Sequence, residues 1–208
     1  MLASALLVLL VQFQPIQGHG MVMDPVNRAS RWRFNSSAPQ DWTDNEGYCG
    51  GISIHHNTNG GKCGLCGDNY ADPKPRAHEL GGVFGEGVIV ASYNAGNTVP
   101  IEVKLSANHM GSFHFHLCNI DANQIESEDC FDTYPIEFEN GSTTYPVSQG
   151  LNLFKINVRL PAGVQCDHCV LRWTYVTGNG WGICEDGKGA LGCGPQETFK
   201  GCSDIAIY

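Results

Sequence analysis

Ten cysteines constrain this chain more than any other feature: Cys49, Cys63, Cys66, Cys118, Cys130, Cys166, Cys169, Cys184, Cys193 and Cys202. All lie downstream of an apolar leader, MLASALLVLLVQFQPIQG. Its core, Leu2 to Val11, has the length of a signal-peptide apolar region. A membrane-spanning helix needs about 20 apolar residues, which the leader does not supply. Gly18 suits the small-residue position before a cleavage. Residues 1–18 therefore read as a signal peptide, and 19–208 as one secreted domain with room for a real core. In an oxidising compartment an even cysteine count reads as five disulfides. Spacing alone does not fix their connectivity. Two CxxC pairs, Cys63/Cys66 and Cys166/Cys169, also match a four-thiolate zinc site, the weaker reading in that compartment. Asn35 and Asn140 head glycosylation sequons.

The chain carries a net charge of −9. That argues against nucleic acid or an anionic membrane as partner and suits a neutral polymer. No second long apolar run follows the leader, and the domain reads as a monomer. With 26 glycines and 10 prolines, the chain is short strands between turns rather than helices. Strands are expected at 87–93, 98–106, 112–118, 152–160, 169–176 and 203–207. In 98–106, Ile101, Val103 and Leu105 alternate with Glu102 and Lys104; in 112–118, Phe113, Phe115 and Leu117 alternate with His114 and His116. The expected fold is all-β: an immunoglobulin/fibronectin-III-like antiparallel β-sandwich with long disulfide-stapled loops and short helices. Residues 24–82, rich in Gly, Asn, Asp and Pro, form the long loop region, and Cys49, Cys63 and Cys66 are its staples. Trp173, Tyr175 and Trp181 read as core aromatics.

Two of the eight histidines stand out. Cleavage after Gly18 would make His19 the first residue, able to chelate a metal through its α-amine and Nδ1. His109 falls between two strands, on a turn at the edge of the fold. Two imidazoles and one amine make a nitrogen-only, T-shaped donor set, which favours Cu(II) over zinc or calcium. His114 and His116 share one strand face and read as structural, bonded within the sheet or at its surface. His55 and His56 lie in the loop region and could border a substrate face, while His78 and His168 carry no argument.

Six blocks, taken in order, resemble the lytic polysaccharide monooxygenases of auxiliary activity family 15, found in insects and other animals. They are HGMVMDPVNRASRW (19–32), EGYCGG (46–51), GGKCGLCGD (60–68), SANHMG (106–111), the run from Cys166 through VLRWTYVTGNGWG to Gly182, and CGPQETFKGCSDI (193–205). The resemblance implies one copper ion held by His19 and His109. It places Phe199 at the axial position, where many members carry Tyr; a phenyl ring blocks that side without ligating. Ala107 matches a small residue crowding the open side of copper, and Glu197 a carboxylate near it. The implied reaction is oxidative cleavage of glycosidic bonds at a crystalline polysaccharide surface, driven by an external electron donor with O2 or H2O2. Chitin is the first substrate expected and cellulose the second. The alternative is a secreted, non-catalytic chitin-binding or cuticle-associated protein on the same fold.

Overall fold

The computed structural model describes residues 19–208; the expected signal peptide, 1–18, lies outside the described residues. The strands are β1 (His19–Asp24), β2 (Ala91–Tyr93), β3 (Thr98–Ala107), β4 (Ser112–Asn119), β5 (Tyr134–Phe138), β6 (Tyr145–Pro146), β7 (Leu153–Arg159), β8 (Cys166–Val176), β9 (Trp181–Ile183), β10 (Gly189–Leu191) and β11 (Thr198–Ile207). Two short helices, α1 (Ile120–Asn123) and α2 (Glu128–Asp132), follow β4. Each begins with a capping side chain: Asn119 accepts from the Ala122 amide and Ser127 from the Cys130 amide.

Nine strands join in one sheet ordered β1-β3-β7-β5-β4-β8-β11-β2, with β6 beside β4. All pairings are antiparallel except that of β2 with β11. The sheet curls at β5, which pairs with β4 through Ile136 and then with β7 through Phe138. Curling brings the two arms face to face. Ile101 and Val103 on β3 and Phe154 on β7 share one buried cluster with Phe115 on β4, Trp173 on β8 and Phe199 on β11. The period-2 pattern of β3 and β7 is what a half-buried strand requires, one face in the core and one in water. The architecture is thus mostly β with a few short helices, and a curled sheet of this kind fits a sandwich.

Several boundaries depart from the sequence expectation. The last strand begins at Thr198, not residue 203, and runs ten residues because β8 pairs along nearly all of it. β1 and β5 have no strong alternation and become strands through their partners. Trp181 is corrected outright: it is 68% exposed, not core. It stands on the separate β9–β10 hairpin, which among the described residues pairs only with itself and is closed by the Cys184–Cys193 disulfide.

All ten cysteines are paired: Cys49–Cys63, Cys66–Cys202, Cys118–Cys130, Cys166–Cys169 and Cys184–Cys193. The four-thiolate zinc reading falls with this pairing. Cys66–Cys202 fastens the long loop region to β11, and Cys49–Cys63 closes it on itself. Buried charges reinforce the same join. Arg28 donates to both oxygens of Asp204, from Nε at 2.7 Å and Nη2 at 2.6 Å. His168 Nε2 meets Asp204 from the other side at 2.8 Å. Burial pushes the Asp204 carboxyl up, but the hydrogen bonds from Arg28 and His168 outweigh it and hold it below the usual range.

His78 performs a matching role. It lies between two buried carboxylates, Nδ1 2.8 Å from Asp68 and Nε2 3.0 Å from Asp41, and stacks on Phe84. Burial favours its neutral form, yet the two carboxylates win and lift it to about 9. A group raised on folding stabilises the native state fully below its unfolded pKa and loses that contribution as pH rises through the folded one. The window runs from about 6.5 to about 9. At 1.36 kcal/mol per pKa unit the contribution is about 3 kcal/mol. The unfolding free-energy difference between the native protein and His78→Gln, measured by denaturant titration, should therefore shrink from pH 6 to pH 10. A gap constant across that range would remove the charged form of His78 from the account.

Candidate metal centre

The sheet register assembles the site. His19 opens β1 and sits opposite Ala107, the last residue of β3. His109 follows two residues later, on the turn into β4. The two histidines therefore occupy one edge of the sheet, although 90 residues separate them. They are close enough to influence each other: burial lowers the His109 pKa first, and the charge of His19 lowers it further. A neutral imidazole is the form that binds metal.

Each histidine is held from several sides. Gly20 donates to the Asn45 carbonyl at 3.1 Å, and Asn45 donates to Ser106 Oγ at 2.9 Å. A side chain at position 20 would meet Leu105 at 2.5 Å and the Trp173 ring at 2.9 Å, so only glycine lets β1 lie this close to the core. On the His109 turn, Met110 and Gly111 both have positive φ, 56° and 94°. A β-carbon at Gly111 would come within 2.1 Å of the Val176 carbonyl oxygen. Asn108 accepts from the Met110 amide at 2.8 Å and donates to the Ser148 carbonyl at 2.9 Å. The His109 amide donates to the Tyr175 hydroxyl at 2.9 Å, and the His109 carbonyl accepts from Gly178 at 3.0 Å.

Behind the histidines lies an aromatic wall. Phe199 is fully buried on β11, opposite Tyr175 of β8. Its ring stacks on Tyr175 at 5.8 Å and meets the edge of Tyr48 at 6.2 Å. Burial raises the Tyr175 hydroxyl to about 12, with the charge of Glu197 adding to it, so it stays protonated.

Two carboxylates approach the two imidazoles. Glu197 Oε2 is 3.9 Å from His109 Nδ1, a buried nitrogen with no hydrogen-bond partner among the described residues. Glu46 Oε1 is 3.6 Å from His19 Nε2. The structure brings His19, Ala107, His109 and Glu197 to one edge, and Phe199 adjoins them through Tyr175, whose hydroxyl meets the His109 amide. It adds three that sequence reasoning missed: Glu46, Tyr48 and Tyr175. The first two lie in the EGYCGG block, whose match to the family was visible while their roles were not. Tyr175 was assigned to the core, which it is, but its hydroxyl also reaches the site.

The remaining histidines divide. His56 Nε2 donates to the Gln196 carbonyl at 2.8 Å, tying residues 54–58 to the segment that carries Glu197. His114 bonds locally, to Ser112 Oγ at 3.0 Å and the Thr143 carbonyl at 3.2 Å, as a structural strand histidine should.

Removing the Tyr175 hydroxyl strands the His109 amide. Tyr175→Phe should cost about 1–3 kcal/mol, the range for an unpaired buried donor. A denaturant midpoint equal to that of the native protein would show that water replaces the bond.

A family model described as lytic polysaccharide mono-oxygenase, cellulose-degrading, matches residues 19–205. Among solved structures, an AA15 lytic polysaccharide monooxygenase from Thermobia domestica in the Cu(I) state is 41% identical. That match covers 91% of this chain and 98% of the other, with a TM-score of 0.87. A chitin-binding domain from Burkholderia pseudomallei is 11% identical over 92% of this chain and 100% of its own, with a TM-score of 0.50, a likeness of fold alone. No curated protein sequence matches the chain.

Proposed function

We propose that this chain, which belongs to the lytic polysaccharide monooxygenase family, holds its copper between His19 and His109 and acts on chitin first and cellulose second. Membership makes it a copper monooxygenase that cleaves polysaccharide oxidatively with an external reductant. It also favours the enzyme over the non-catalytic chitin-binding alternative.

The observation that carries the metal assignment is the register of His19 opposite Ala107, which sets both histidines on one sheet edge. The donor chemistry fits. Among the described residues, no three His, Cys, Asp or Glu side chains gather into a metal cluster. Two imidazoles therefore need a third donor from elsewhere, and the nitrogen of residue 19, which chelates together with its own Nδ1, would supply it. That nitrogen ligates well only as a free amine, so cleavage after Gly18 belongs to the mechanism. Five disulfides accord with the secreted location this requires. When bound between these residues, copper would supply the redox chemistry, with an external electron donor and O2 or H2O2 as co-substrate.

The protein supplies position and shelter. Phe199 would face the metal with a ring that cannot donate, and Tyr48 and Tyr175 pack against that ring. Ala107 keeps the side next to His19 small. Glu197 can hold or accept a proton beside the open face.

The β9–β10 hairpin extends this face. It leaves the site through Gly178, which donates to the His109 carbonyl, and displays Trp181, Ile183 and Leu191 to solvent. An exposed indole suits the apolar face of a pyranose ring. We read the curled sheet as the immunoglobulin/fibronectin-III-like sandwich expected from the sequence, working as a monomer on a flat polymer surface. Chitin takes precedence from the animal-type resemblance; the description of the family model names cellulose.

Mass spectrometry of soluble products tests both parts. Protein beginning at His19, loaded with copper and given ascorbate, should release oxidised oligosaccharides from chitin in larger amounts than from cellulose. Protein retaining Gly18 ahead of His19 should release few from either. Full activity in the extended form would refute amine ligation, and products from cellulose alone would reverse the substrate order.

A further inference from the structure

We propose that Glu46 is a positioning residue, whose carboxylate fixes the ring of His19 with its proton on Nε2 and leaves Nδ1 free for the metal. The inference rests on the His19/His109 reading and goes beyond it, because nothing above requires a partner for the outer nitrogen of His19.

Three observations carry it. The first is direct: Glu46 Oε1 is 3.6 Å from His19 Nε2. That exceeds hydrogen-bond length but lies within ion-pair range. A lone pair aimed at a carboxylate is repelled and an N–H is attracted, so the charge selects the tautomer protonated at Nε2. A metal-binding histidine commonly has such a partner on its other nitrogen, which sets ring orientation and ligand basicity.

The second observation is that Glu46 is itself held. Its amide donates to the Thr43 carbonyl at 2.7 Å, and its carbonyl accepts from Tyr48 at 2.6 Å. The adjacent Asn45 is tied to β1 by the Gly20 amide and to β3 by Ser106. Burial raises the Tyr48 hydroxyl, and the nearby Glu46 carboxylate raises it further. A glutamate anchored to the strand that carries His19 keeps its distance from that ring.

The third is the pattern on the opposite histidine. Glu197 Oε2 approaches His109 at Nδ1, not Nε2. Each imidazole thus presents one nitrogen to a carboxylate. His19 turns its Nε2 to Glu46, which leaves Nδ1, the ring nitrogen able to chelate together with the α-amine. The same carboxylate on Nδ1 would have blocked that chelate.

The test compares protein beginning at His19 with its Glu46→Gln and Glu46→Ala variants. In metal-free protein at pH 8, nitrogen-15 shifts of the His19 ring report the tautomer. The native protein should show the proton on Nε2. Glu46→Gln keeps an oxygen acceptor and should retain that tautomer, while Glu46→Ala should give a mixture. Copper affinity by isothermal titration should fall about 10–100-fold in Glu46→Ala and much less in Glu46→Gln. The Cu(II) electron paramagnetic resonance spectrum should change in Glu46→Ala. Native-like ring shifts, affinity and spectrum in Glu46→Ala overturn the proposal. Protein retaining Gly18 is measured alongside. If it binds copper as tightly as the native form, the amine reading fails first. If it binds weakly while Glu46→Ala matches the native protein, only the role of Glu46 fails.

Discussion

The pairing of β1 with β3 is the contact on which the site depends. Without it residue 19 would have no fixed partner, and His109 would be an ordinary turn histidine. Antiparallel hydrogen bonding fixes which residue of one strand faces which of the other. Here it sets His19 against Ala107 and so brings His109 into reach. The close approach of β1 to the core depends on Gly20, which leaves room for Leu105 and the Trp173 ring. The placement of His19 at this edge is therefore a consequence of core packing at the next residue.

The long loop region is the second support. Residues 25–90 contribute no strand to the sheet, so the sheet alone cannot order them. Their order comes from cross-links to elements that the sheet has fixed. Cys66 is bonded to Cys202, Arg28 is clamped on Asp204, and the Lys200 amide donates to the Gly47 carbonyl at 2.8 Å. All three partners lie on β11, the strand that carries Phe199. The segment bearing Glu46 and Tyr48 is thus registered against the aromatic wall behind the histidines. His78, bridging Asp41 and Asp68, ties the approach to that segment to the disulfide-bonded loop. Charges buried this deeply are tolerated because each is paired, and removing one partner would leave an uncompensated charge.

The alternation of β3, β4 and β7 was legible because one face of each strand is wet, which writes burial into the sequence with period two. β1 and β5 carry no such pattern. The sequence HGMVMD gains strand structure only when β3 lies beside it, and Pro135 weakens the strand signal of β5. The hairpin misled for another reason. Its Gly-rich run reads as turn, and a tryptophan is read as core by default. Nothing in local composition says that β9 pairs only with β10 and carries Trp181 into solvent.

The sequence by itself determined the covalent and chemical repertoire. It set ten cysteines, a histidine at residue 19, a second at 109 and a phenylalanine at 199. It also carried the family blocks from which copper and polysaccharide follow. Only the tertiary structure decided which cysteines meet, that Trp181 faces outward, and that Glu46 stands at the Nε2 of His19 while Glu197 stands at the Nδ1 of His109. The physical reason is one of range. Composition and periodicity report interactions between near neighbours, whereas the choice of ring nitrogen is made by carboxylates 27 residues from His19 and 88 residues from His109 along the chain, which approach only when the sheet closes.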